Sequence, residues 1–115
     1  MTYVFDIDGT ICHTEGSDYE NSQPMKDRIA VINKLYKEGN TVFFLTARGM
    51  GRTDNDQEKA NELLYEFTKE QLQGWDVKFH KLFLGKPNGA IYIDDKALLD
   101  VDFFTQMQAK MSRMF

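Results

Sequence analysis

Three short apolar runs in this chain each stop at residues bearing carboxylates or a hydroxyl. That pattern restricts the fold more than any other feature. Tyr3-Val4-Phe5 runs into Asp6-Ile7-Asp8-Gly9-Thr10, Thr41-Val42-Phe43-Phe44-Leu45 runs into Thr46, and Ala90-Ile91-Tyr92-Ile93 runs into Asp94-Asp95. Apolar runs this short, rich in β-branched and aromatic residues, read as buried strands. Between them the periodicity is helical. Ile29, Ile32, Leu35 and Tyr36 make one stripe, with Pro24 placed to open the helix and Gly39-Asn40 to stop it. Ala60, Leu63, Leu64, Phe67 and Leu72 make a second, starting from Asp56 and ending at Gly74. A third strand is expected within residues 75–84, where Val77 and Phe79 alternate with Lys78 and His80. Residues 97–115 read as a turn and a terminal helix, with Met107, Met111 and Met114 as packing or oligomer contacts.

The resulting order, β-α-β-α-β-β-α, implies right-handed crossovers and a mostly parallel sheet: a three-layer, Rossmann-like α/β fold. A length of 115 residues suits one domain, 1–115. In such sheets ligands bind beyond the carboxyl ends of the strands. Asp6, Asp8, Thr46, Asp94 and Asp95 should therefore converge on one edge. Lys86, in the Gly85-Lys86-Pro87-Asn88-Gly89 loop, should reach the same edge.

Asp6 and Asp8 are two apart, so on a strand they point the same way and repel. They need a cation or a shared proton. Phosphoryl transfer uses such a set: a carboxylate nucleophile, a proton donor for the leaving group, and positive charge for the phosphoryl oxygens. Mg²⁺ prefers the oxygen donors that Asp6, Asp8 and Asp94/Asp95 offer, and the Cys/His set that suits zinc is missing. Lys86 supplies a point charge, and the Thr46 hydroxyl a hydrogen bond to a phosphoryl oxygen.

These stretches together resemble the four motifs of the haloacid dehalogenase-like superfamily, in its phosphatase branch because Asp8 is present. The resemblance implies that Asp6 attacks phosphorus, while Asp8 protonates the leaving group and then deprotonates water. It implies Mg²⁺ held by the Asp6 carboxylate, the Asp8 main-chain carbonyl and an acidic residue of the last motif. Asp95 is the favoured ligand, with Asp94 orienting Lys86 or a metal-bound water. Gly9, Thr10, Ala47 and Arg48 are the candidate substrate contacts. The pKa of Asp8 is expected to be raised by neighbouring carboxylates and lowered by metal. Ser17-Asp18-Tyr19, Leu45-Thr46-Ala47-Arg48, Gly85-Lys86-Pro87 and Tyr92-Ile93-Asp94-Asp95-Lys96 are similar to very short bacterial members associated with capsule or surface-polysaccharide biosynthesis. That similarity implies a small phosphorylated substrate such as a sugar phosphate. Only a short polar flap, residues 11–23, separates the first motif from Pro24, so the chain reads as capless. The flap, the loop of residues 48–55 or a second subunit in a homo-oligomer would then cover the open site.

A net charge of −4 gives no global basic field for nucleic acid or anionic lipid. No apolar run approaches the roughly 18–20 residues of a membrane span. Cys12 is the single cysteine, so no intrachain disulfide is expected, and a cytoplasmic setting without a signal peptide fits. Adjacent Cys12 and His13 should point to opposite faces rather than act as a pair. His80 reads as structural, and Arg52 as solvated. Two rivals are a receiver-type phospho-aspartate signalling domain, whose motif order differs, and a non-catalytic module of the same fold.

Overall fold

The computed structural model describes residues 1–113; Met114 lies outside them. Its central sheet has three parallel strands in the order β1-β4-β5. Strand β1 is Thr2–Phe5, β4 is Thr41–Thr46 and β5 is Lys81–Leu84. Helix α1 (Lys26–Lys37) joins β1 to β4, α2 (Gln57–Gly74) joins β4 to β5, and α3 (Asp100–Arg113) ends the described chain. This is the expected small α/β fold with a parallel sheet and no cap domain. The flap is a small hairpin in which β2 (Cys12–His13) pairs antiparallel with β3 (Gln23–Pro24).

Local chemistry explains the helix ends. Gly39, at φ +95°, follows α1, where the Gly39 and Asn40 amides donate to the Tyr36 and Leu35 carbonyls. The paired bonds close the helix in a Schellman turn. The same turn ends α2, but the left-handed position falls on Asp76 rather than on Gly74. At its start the Asp56 carboxylate accepts from the Lys59 amide at 3.1 Å, a side-chain cap. Pro24 does not open α1: it sits in β3, paired with Cys12, and the helix begins at Lys26. A two-residue hairpin strand tolerates a missing N–H.

One apolar cluster joins the inner sheet face to all three helices. Phe5, Val42, Phe44, Leu82 and Leu84 meet Ile29, Ile32 and Leu35 of α1, Leu72 of α2 and Phe104 of α3. Arg28 ties α1 to α3, donating from Nη1 to the Asp100 carboxylate at 2.7 Å and to the Thr10 carbonyl at 2.9 Å. Val4, Phe43, Leu45 and Phe83 project from the opposite face and lie outside that cluster. Among the described residues no helix joins them in that cluster.

One strand expectation is narrowed and another corrected. The third strand is only Lys81–Leu84; Val77 and Phe79 precede it as buried or half-buried packing residues. His80 is structural, as expected. Its amide donates to the Val42 carbonyl, its Nδ1 accepts from the Val42 amide, and its ring stacks on Tyr36. The fourth strand, 90–93, does not form. Residues 85–99 carry no regular structure, and Ile91 and Ile93 are 79% and 95% exposed. Only Pro87, Asn88 and Gly89 separate Lys86 from Ala90, whereas a parallel crossover needs a dozen or more residues.

Candidate active site

The carboxyl end of β1 supplies the first site residue. After Phe5 the chain turns tightly: Thr10 and Ile11 amides donate to the Ile7 carbonyl, and the Gly9 amide donates to the Cys12 carbonyl. Gly9 takes φ +82° in that turn, a conformation that favours glycine. The turn fixes the Asp6 carboxylate at the head of the strand. Its Oδ2 accepts from Thr10 Oγ1 at 3.1 Å, and its Oδ1 lies 3.5 Å from Lys86 Nζ. Lys86 is held by its own backbone, whose amide donates to the Thr46 carbonyl at 3.2 Å. Its ammonium also lies 4.2 Å from the Tyr92 ring centre.

Thr46, the last residue of β4, is buried, and its Oγ1 accepts from the Arg48 amide at 3.1 Å. That bond leaves the hydroxyl proton free to be donated. These groups line one cleft of about 320 Å³, bounded by Asp6, Asp8, Thr46, Ala47, Arg48, Gly49 and Lys86, by Gly16, Ser17 and Tyr19 of the flap, and by Gly51, Arg52, Asn88 and Tyr92. Gly9 and Thr10 stand behind Asp6 as turn and hydrogen-bond donor. Arg52 is exposed yet lines the mouth of the cleft.

Asp8 is held differently from Asp6. Arg48 grips it with two parallel bonds, Nε to Oδ2 and Nη2 to Oδ1, each 2.9 Å. Thr14 Oγ1 donates to Oδ1 at 2.6 Å, and the Cys12 thiol lies at 3.6 Å. Burial alone would raise the Asp8 pKa, but the Arg48 and Thr14 hydrogen bonds and the Arg48 charge overcome it. The net shift is below the ordinary aspartate value, opposite to a rise from neighbouring carboxylates.

Arg48 itself is only 1% exposed. Besides Asp8 it donates from Nη1 to Gln71 Oε1 at 2.7 Å and to Thr68 Oγ1 at 3.4 Å, and its guanidinium stacks 4.6 Å from the Tyr19 ring centre. Gln71 in turn donates to the Tyr19 carbonyl at 2.7 Å. The guanidinium thus ties the first strand's turn, α2 and the flap together, and its donors face protein rather than open cleft. Thr14, Thr68 and Gln71 escaped the sequence reading, and Tyr19 entered it only as part of a motif. Thr68 and Gln71 alone carried a signal, being polar residues beside the apolar stripe of α2. Cys12 is buried and His13 exposed, on opposite faces as expected.

Asp94 and Asp95 do not reach this cleft. Both are exposed, and Asp94 accepts from the Lys96 amide at 2.9 Å. Among the described residues no three His, Cys, Asp or Glu side chains gather where a metal could sit. The cleft offers the carboxylates of Asp6 and Asp8 alone, and both Asp8 oxygens are engaged by Arg48. In one chain the acidic residue of the last motif is therefore missing from the Mg²⁺ ligand set that the resemblance implies, which corrects the expected convergence of Asp94 and Asp95.

No protein-family model matches this chain, and no curated protein matches it. Two solved structures do. One is the crystal structure of an MCSG target from Vibrio cholerae, with TM-score 0.83 and 25% identity over 99% of this chain and 98% of that one. The other is the D,D-heptose 1,7-bisphosphate phosphatase from B. bronchiseptica, complexed with magnesium and phosphate. It matches with TM-score 0.51 and 16% identity, over 98% of this chain but only 62% of its own length. The likeness to the phosphatase is one of fold. Together these matches show that the chain is a small α/β domain sharing its fold with both structures, without a cap. Among the described residues no helix is long and apolar enough to cross a membrane.

Proposed function

We propose that the chain is a phosphatase that hydrolyses a small phosphate monoester through an aspartyl-phosphate on Asp6. One observation carries the reading: a carboxylate at the head of a parallel strand shares its cleft with a lysine 3.5 Å away and a buried threonine hydroxyl. That trio is a nucleophile with charge and hydrogen-bond compensation for a phosphoryl group. The shared fold with a phosphatase supports the reaction class.

In the first step an Asp6 oxygen forms a bond to phosphorus as the ester oxygen departs in line. Lys86 and the Thr46 hydroxyl offset charge on the phosphoryl oxygens. Asp8 gives a proton to the departing oxygen. In the second step Asp8 takes a proton from water, whose oxygen attacks phosphorus and releases Asp6 and phosphate. Arg48 keeps Asp8 ionised, as the second step requires. A phosphate dianion arriving beside Asp8 opposes that bias and raises its proton affinity, as the first step requires. The substrate is a small phosphorylated metabolite, a sugar phosphate being the leading class, and the setting is cytoplasmic.

The test is phosphate release from a broad panel of monoesters, for the wild type and Asp6→Asn. Release that falls at least a hundredfold in the variant is expected. Unchanged release in Asp6→Asn, or none from any ester, would overturn the assignment. The incomplete acidic set favours one rival, a non-catalytic phosphate-binding module; binding of phosphate without turnover would select it.

A further inference from the structure

We propose that two copies of this chain exchange the segment 90–95, each laying its own as a parallel strand on the outer edge of the other's β1, and that Asp94 and Asp95 thereby enter the partner's cleft. The role given to the carboxylates rests on the phosphatase reading; the exchange of strands does not.

Both halves of the contact stand open in one chain. Ala90-Ile91-Tyr92-Ile93 is uncharged and rich in strand-forming residues, yet its two isoleucines are almost fully in water. β1 is an edge strand of the sheet, and Val4 on it is 58% exposed. Edge strands are commonly guarded by lysine, proline or a bulge. Thr2-Tyr3-Val4-Phe5 has no lysine or proline, whereas the opposite edge, β5, begins with Lys81.

The chain cannot make this pairing with itself. Leu84 is level with Thr46, and Lys86, whose amide donates to the Thr46 carbonyl, is no lower; Thr2 is level with Thr41, five residues down. With Asp94 beside Asp6, Ala90 must sit level with Thr2. It must therefore descend about 16 Å and cross three strand spacings, about 14 Å, from β5 to the far side of β1. That is roughly 21 Å in a straight line. The four steps from Lys86 to Ala90 span at most about 14 Å. An antiparallel strand could start at the top edge, but it would carry Asp94 and Asp95 to the wrong end of the sheet. A second copy has no such limit, and reciprocal exchange under two-fold symmetry closes the assembly. In the proposed register Ile91 and Ile93 fall on the inner face of Tyr3 and Phe5, and Tyr92 on the open face beside Val4. The exchange also explains the acidic shortfall. In one chain Asp6 faces Lys86 and Asp8 faces Arg48, and two further carboxylates give the cleft the excess negative charge a cation needs.

The experiment uses two full-length variants in a Cys12→Ser background, one carrying Val4→Cys and a tag, the other Tyr92→Cys. They are mixed in denaturant, refolded together and oxidised mildly. A disulfide-linked heterodimer is expected, and untouched wild type should have about twice the 13.4 kDa chain mass in solution by light scattering. A wild-type mass of one chain, or absence of the cross-link between well-folded variants, overturns the exchange. Co-refolding Asp6→Asn with Asp95→Asn then separates the two readings. Each heterodimer should hold one intact site, so an equal random mix should recover about a quarter of wild-type activity. The cross-link with no activity in wild type on any ester keeps the exchange and rejects the phosphatase. Activity in wild type with the cross-link but no recovery rejects the shared site.

Discussion

Asp8 and Arg48 show how much one ion pair decides. Arg48 is wholly buried and its charge is matched by a carboxylate that keeps some contact with water. Removing that carboxylate leaves a buried guanidinium without its counter-charge, so Asp8→Asn should cost about 1–3 kcal/mol at neutral pH. The pH dependence has a definite sign. The folded-state pKa of Asp8 lies below the ordinary 3.8, so its contribution is full above that value and is lost as pH falls through the folded value. The stability gap between wild type and Asp8→Asn should be widest at pH 7 and narrow below about pH 4, as read by urea unfolding. Cys12 offers a second residue-scale test. Burial, with the nearby Asp8 charge, pushes its thiol pKa above 9.0 despite the Thr14 hydrogen bond and the Arg48 charge. Native protein at pH 7.5 should resist iodoacetamide for hours and react within minutes in denaturant, since the thiolate is the nucleophile. Of this site, Asp6, Thr46 and Lys86 were legible from the sequence as polar residues following apolar runs. The grip of Arg48 on Asp8 was not, because 40 residues separate the pair and the arginine reads equally well as a phosphate contact.

At the scale of elements, turns and caps hold the cleft in place. Gly49 follows Arg48 at φ +82°, and a Cβ there would lie 3.2 Å from Ala60 and from Leu64 of α2. Strain and crowding add, so Gly49→Ala should lower stability by about 1–3 kcal/mol, seen as a lower urea midpoint. The Asp56 cap of α2 is more modest: Asp56→Ala should cost about 0.5–2 kcal/mol by the same measurement. Helices and their stops were readable because periodicity and caps are local. Strand β5 falls inside the expected range 75–84, but Val77 and Phe79, which alternate like a strand, precede it; pairing with β4 begins only at Lys81. Pro24 was read as a helix opener because the hairpin partner that claims it, Cys12, is chosen by tertiary pairing.

At the scale of the whole molecule, the described residues of one chain leave a bare strand edge, an uncovered sheet face and an unpaired apolar segment. Ile93 is 95% exposed within a chain. Ile93→Asp should therefore leave the far-ultraviolet circular dichroism unchanged while reducing the solution mass to 13.4 kDa. A dimeric Ile93→Asp protein would show that the segment takes no part in association.

The amino-acid sequence alone determined the alternation of strands and helices, the parallel sheet, the absence of a cap, and Asp6, Thr46 and Lys86 at one sheet edge. Those follow from local propensity, period and the rule that ligands gather at strand carboxyl ends. Only the tertiary structure decided that Asp8 is held ionised by Arg48 and that Asp94 and Asp95 stay away from their own chain's cleft. The reason is reach: a motif declares which residues suit a site, but three linking residues after Lys86 cannot return the chain to the start of a parallel strand.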